Sequence, residues 1–162
     1  ASSERMLAKA PTLGADEAIV DLEDAVAPEG KNAARELAVA AVRRGPLART
    51  TAIRVNGRGS EWWETDLRAA AKAGPDVVVL PKVESPEDVA AAAELLPESV
   101  GLEAQIETAR GLVEAGHIAA AGHGLEALVF GPADLAASLG AFGAHLGGAP
   151  ALNGYGYAFR NG

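Results

Sequence analysis

Charged and polar residues recur in this 162-residue chain at one kind of place, the end of a short apolar run: Glu23 and Asp24, Arg54 and Asn56, Lys82, Glu107, and Asp134 just beyond. Glu107 and Asp134 are hard oxygen donors with no Cys or His beside them. Such a set selects Mg²⁺, with Mn²⁺ as the alternative, over zinc, and two carboxylates leave open positions for water and a chelating substrate. By spacing alone Glu107 could equally cap a helix or pair with Lys82. Arg54 stands between Ile53 and Val55 in "AIRVN". An inward guanidinium needs a partner, and Glu23, Glu103 and Glu107 are the candidates, together with a substrate carboxylate that its fork would fit. In "FGPAD", Gly131 permits a close backbone approach, and Pro132 suits a first helical turn whose N–H groups could meet an anion. Any one of these charges could be a structural ion pair. Their recurrence at the same end of five runs favours one shared site.

Other polar residues read more plainly. His117, His123 and His145 lack ligand spacing, and His117 and His123 suit a helix face and a helix end. Lys31 and Arg35 lie one turn apart, which reads as a solvated helix face, with a phosphate contact as the alternative. Trp62 and Trp63 are expected to cover the early turn of a helix.

The elements that must position these groups alternate. "EAIVDLED" (17–24), "TAIRVNG" (51–57), "DVVVLPK" (76–82), "GLEAQIE" (101–107) and "EALVFGP" (126–132) are short and rich in aliphatic residues, as strands are. Ala-rich amphipathic stretches follow each one, at about 29–44, 60–73, 86–96, 108–121 and 133–139. Ser60, Ser85 before Pro86, and Thr108 are start signals, and Gly74 and Gly122 fall near helix ends. Regular βα alternation predicts a parallel sheet with right-handed crossovers. In three of the runs one strand face is apolar and the other polar. An open sheet covered by helices on both faces should be apolar on both, so a barrel with a polar mouth fits better. The expected fold is therefore α/β, a TIM-like (β/α)8 barrel. A complete one needs about 250 residues, so about five βα units leave it incomplete. Residues 1–140 are expected to form the partial barrel domain, and the glycine-rich 141–162 reads as loop or poorly ordered tail.

Composition narrows the function classes. A formal charge of −8 argues against nucleic acid as a partner. No apolar run reaches the ~18 residues of a membrane span, and no signal-peptide core follows the N-terminus. The absence of cysteine fits a cytoplasmic protein and excludes thiolate metal sites.

The segments "ERMLAKAPTLGADEAIVDLEDAVAPEGKNAAR", "IRVNG", "VVLPKVESPEDV", "QIETARGLVEA" and "LVFGPADLAASLG", in this order, resemble the citrate lyase beta-subunit-like branch of the HpcH/HpaI aldolase/citrate lyase superfamily. "DLEDAV" followed by "K..AR" is specific to that branch. The resemblance implies a TIM-like barrel assembled as a homotrimer or hexamer, with strands before and after the five seen here. It implies Mg²⁺ on Glu107 and Asp134, and Arg54 on substrate carboxylate and carbonyl oxygens. Glu23 and Asp24 would support the site, and the backbone at Pro132 and Ala133 would face the bound keto acid. The implied reaction is Mg-dependent carbon–carbon cleavage of a 3-hydroxy-3-carboxyacyl thioester, of citramalyl, malyl or citryl type, to a 2-keto acid and an acyl thioester. Coenzyme A would then belong to the substrate. A metal-dependent aldolase acting on free hydroxy-keto acids, or a non-catalytic subunit of a larger lyase complex, are the alternatives.

Overall fold

The computed structural model describes residues 3–140. Five strands are present: β1 (Glu17–Asp21), β2 (Thr50–Arg54), β3 (Val77–Leu80), β4 (Gly101–Ile106) and β5 (Leu125–Phe130). The helices are α1 (Glu4–Lys9), α2 (Lys31–Arg44), α3 (Trp63–Ala73), α4 (Pro86–Ala93), α5 (Ala109–Ala119) and α6 (Pro132–Ser138). Arg54 is the last residue of β2; the other polar residues that end a run in the sequence lie just past their strands. Those residues leave the ladder for turns, where their side chains are free to converge.

All neighbouring strands pair in parallel, in the order β1-β2-β3-β4-β5. Right-handed crossovers that always step the same way put the crossover helices α2 to α5 on one face. The core shows this. Val20, Ile53, Val78, Leu80, Leu102, Ala104 and Ile106 pack with Ala34, Ala38, Val42, Leu67, Ala70, Val89, Ala92 and Ile118 from α2 to α5. Small alanines on the helices let them lie close to the sheet, and each fully buried aliphatic side chain contributes about 1.5–3 kcal/mol. On the opposite face Ala52, Val77 and Val79 form a separate small cluster. Asp21 and Arg54 are register partners there, and Arg54 and Glu103 both pair with Val79.

The helix ends follow the local chemistry of the sequence. Ser85 and Asp88 form a reciprocal capping box at α4. Thr108 accepts from Gly111 N at the start of α5, and Gly74 closes α3 in the left-handed conformation at φ 70°. One expectation is corrected and one helix is added. The third helix begins at Trp63 rather than Ser60; Ser60 lies in the preceding turn, and its Oγ is buried with no hydrogen-bond partner. The segment ahead of β1 carries a helix, α1, capped by Ser3; six residues are too few to show a helical period. Residues 141–162, including His145, lie outside the described residues.

Candidate active site

Asp21, the last residue of β1, builds the first part of the site. Its Oδ1 accepts from Glu23 N at 2.8 Å and its Oδ2 from Ala25 N at 3.0 Å, folding residues 22–25 over the strand end. The same carboxylate receives Arg54 Nε at 2.8 Å and Nη2 at 2.6 Å. This bidentate pair joins register neighbours across β1 and β2. Burial pushes the Asp21 carboxyl up, but the Arg54 hydrogen bonds and the two backbone N–H groups outweigh it, and the group lies below its ordinary 3.8. Arg54 Nη1 is 3.5 Å from Glu23 Oε2, and Nη2 is 3.9 Å from Asp24. The expected partner Glu23 is therefore confirmed in second place. Among the described residues no ion pair joins Arg54 to Glu103 or Glu107. Those acids lie on β4 or just past it, with β3 between them and Arg54.

Behind this turn lies a buried polar network. Lys31, the first residue of α2, reaches back to Leu22 O at 2.7 Å, Glu23 O at 2.6 Å and Asn56 Oδ1 at 2.6 Å. The Trp62 ring lies 5.2 Å from its ammonium. Asn56 donates Nδ2 to Leu22 O at 3.0 Å and to Asp66 Oδ2 at 2.6 Å. Asp66 in turn pairs with Arg35 at 2.6 Å. The solvated face expected for Lys31 and Arg35 is thus overturned, since they are only 6% and 9% exposed. Carbonyls and a carboxylate from distant segments satisfy both charges, so neither is free for phosphate.

The third strand contributes Lys82. Its backbone is left-handed, φ 53°, which is uncommon for a residue with a Cβ. Its N–H donates to Glu107 Oε1 at 2.9 Å. Its Nζ lies 2.7 Å from Glu23 Oε1, 3.1 Å from Asp134 Oδ2 and 3.8 Å from Asp24 Oδ1. Glu107 follows β4 and also accepts from the Gln105 side chain. It is buried, and burial first, with the Asp134 charge adding to it, raises its carboxyl above the ordinary 4.5. Burial likewise raises Glu23, against the pull of Lys82. Gly131 packs on Glu107: a Cβ there would stand 2.5 Å from Glu107 Cβ and Oε2. Pro132 then opens α6, and Asp134 sits in its first turn.

The structure thus brings Glu23, Asp24, Arg54, Glu107 and Asp134 together at one end of the sheet, bridged by Lys82. Asp21 was read from sequence only as one more residue on a polar strand face. Its place as register partner of Arg54 is a signal that pairing the strands would have provided. Among the described residues no group of three or more His, Asp or Glu forms a metal cage. Two oxygen donors, one buried and one half-exposed, with the Asp134 charge adding to the cost of ionising Glu107, fit a hard cation that keeps waters and substrate in its other positions. A cavity of about 440 Å³ lies elsewhere, beside Val100, Leu102 and Gly124 near the opposite end of β4.

The profile of the HpcH/HpaI aldolase/citrate lyase family matches residues 1–149. The chain belongs to this family. A (3S)-malyl-CoA thioesterase from Cereibacter sphaeroides is 45% identical over 139 residues, which cover 85% of this chain and 48% of that protein. A citrate lyase beta subunit from Mycobacterium tuberculosis, solved with oxaloacetate and magnesium, superposes with a TM-score of 0.71 at 39% identity, over 88% of this chain and 59% of that one. The protein CitE from the same organism, in complex with magnesium, acetoacetate and coenzyme A, gives 0.65 at 38% identity, over 83% and 47%. The chain spans about half the length of the curated relatives it matches. The family likeness agrees with the α/β fold of five parallel strands. No helix among the described residues is long and apolar enough to cross a membrane.

Proposed function

We propose that this chain carries the substrate-anchoring part of a magnesium-dependent carbon–carbon lyase, acting on a 3-hydroxy-3-carboxyacyl thioester to release a 2-keto acid and a shorter acyl thioester. The observation that carries the proposal is the convergence of Arg54, Glu23, Asp24, Lys82, Glu107 and Asp134 at the C-terminal ends of consecutive parallel strands. That is where barrel enzymes assemble their sites. One-sided helices on a sheet in sequential order support reading residues 1–140 as part of a (β/α)8 barrel. The relative named for malyl-CoA supports the substrate class, since malyl-CoA is a thioester of this type.

In this reading Glu107 and Asp134 hold the magnesium ion, which when bound supplies Lewis acidity to substrate oxygens. Glu107 is set for this by the Lys82 N–H and the Gln105 amide. Arg54 is oriented through Nε and Nη2 by Asp21 and is 18% exposed at its side chain, so its Nη1 edge is the part offered to substrate carboxylate. Glu23 and Asp24 steady Arg54 and Lys82, and the backbone at Pro132 and Ala133 lines the keto-acid position. In the reaction the bond between the hydroxyl-bearing carbon and the carbon next to the thioester breaks. The hydroxyl oxygen becomes the keto carbonyl, its proton is lost, and the electron pair passes to a thioester enolate that then takes up a proton. Arg54 favours this step by keeping a positive charge beside the substrate's carboxylate.

A second reading, thioester hydrolysis, is favoured by the printed activity of the 45% identical relative. Product analysis separates the two. With malyl-CoA and magnesium, the lyase yields glyoxylate and acetyl-CoA, and hydrolysis yields malate and free thiol. The expected result is glyoxylate with no early thiol release; thiol and malate alone would replace the lyase reading by the hydrolytic one. Cleavage of a free 4-hydroxy-2-keto acid, with no coenzyme A present, would point instead to an aldolase without a thioester.

A further inference from the structure

Lys82 is the hub of the strand-end acids, touching three of them in two ways. Its backbone N–H holds Glu107 at 2.9 Å, while its ammonium spans Glu23 at 2.7 Å and Asp134 at 3.1 Å. It achieves this in a left-handed conformation, φ 53°, where a glycine would be less strained. A glycine would keep the N–H but lose the charge. The strain is therefore tied to the presence of a cation at that point. The ammonium contacts Asp134, one of the two carboxylates assigned to magnesium. Its side chain is 40% exposed, as is that of Asp134 at 39%, so it has room to withdraw. Glu23 is 9% exposed at its side chain and lies nearer, so it offers the lysine a partner that it retains on moving away from Asp134.

We propose that Lys82 is a built-in counter-cation of this site: it neutralises Asp134 and Glu23 when no divalent ion is bound, and it yields Asp134 when one arrives. The lysine then sets how tightly the site holds its metal, because two positive charges compete for one carboxylate. The inference rests on the assignment of magnesium to Glu107 and Asp134.

Isothermal titration of the chelator-stripped full chain with magnesium chloride, without substrate, tests it. Lys82→Gln and Lys82→Arg are compared with the unaltered protein, and circular dichroism checks that each is folded. Loss of the competing charge in Lys82→Gln is expected to tighten magnesium binding roughly tenfold and to lower the melting temperature of the stripped protein. Lys82→Arg keeps the charge and should remain within about twofold of the parent affinity. Lys82→Gln with unchanged or weaker affinity, beside a parent that binds magnesium, overturns the counter-cation role and leaves the metal assignment standing. No magnesium binding by any of the three proteins overturns the metal assignment and this inference with it. Should Lys82→Gln fail to fold, Lys82→Gly, which relieves the backbone strain and also removes the charge, gives the same comparison.

Discussion

At the end of β1 the Asp21 carboxylate meets two backbone N–H groups and a guanidinium, and these contacts set its titration apart from that of Glu103 on the same sheet face. The Asp21 carboxyl lies below 3.8 in the fold, so the unfolded chain binds that proton more readily. Its contribution to stability is complete above pH 3.8 and is lost as pH falls through the lower folded value. Glu103 is the opposite case: burial first, then the charges of Glu17 and Glu126, raise it above 4.5. Stability linked to that proton is present below pH 4.5 and is lost as pH rises through the folded value. Glu103→Gln is therefore expected to raise the melting temperature at neutral pH and to leave it unchanged below 4.5. Asp21→Asn should lower it at neutral pH, the gap closing only below 3.8. Thermal melts across pH check both, and an effect of either variant that does not vary with pH would contradict the assignment. For function, Arg54→Ala should reduce turnover about a hundredfold or more, the scale of one lost electrostatic contact in a transition state. Steady-state kinetics on malyl-CoA with magnesium measures this, and turnover within a few-fold of the parent would remove Arg54 from the site.

Elements place these residues through two devices. The first is the Lys31 clamp from α2 onto the turn after β1. Lys31→Met would strip a donor from two carbonyls and the Asn56 amide oxygen; Leu22 O keeps Asn56 Nδ2 and Glu23 O keeps Val26 N, so the Asn56 oxygen alone is left buried and unpaired, at about 1–3 kcal/mol. A loss of about 1–3 kcal/mol in urea unfolding is expected, and a change well under about 1 kcal/mol would show that water replaces the ammonium. The second is the contact between the β5–α6 junction and Glu107. Gly131 has φ −102°, so alanine meets no backbone penalty there and acts through its methyl group alone, which would displace Glu107. Gly131→Ala should keep the fold by circular dichroism while losing at least about tenfold in magnesium affinity by titration. Unaltered affinity would mean that Glu107 can move aside at no cost to the site.

The strands, five of the six helices and the convergence of their polar ends were legible because aliphatic runs, caps and alternation are local properties. Helix α1 was not, being too short for a period. The burial of Lys31 and Arg35 was not either. A Lys and an Arg one turn apart look the same whether water or Asp66 and Asn56 face them, and those partners come from segments far along the chain. Asp21 escaped notice for a related reason. Strand alternation marks it as polar, but only the β1–β2 register sets it against Arg54.

On the scale of the whole molecule, the described residues form one wall: a parallel sheet in sequential order with helices behind and charged residues in front. Ile19 on β1, and Leu128 and Phe130 on β5, are 49%, 39% and 57% exposed at the two edge strands. Such apolar edges suit further strands, in keeping with the proposed barrel and with relatives about twice as long. The acidic end of the wall is where the account places the chemistry. It is tested most directly by following keto-acid formation from malyl-CoA with magnesium, after chelation, and after magnesium is restored. Glyoxylate is expected in the first and third conditions, none in the second, and none in any condition for Asp134→Ala. Glyoxylate formed at the same rate in the presence of chelator, or by Asp134→Ala, would contradict it.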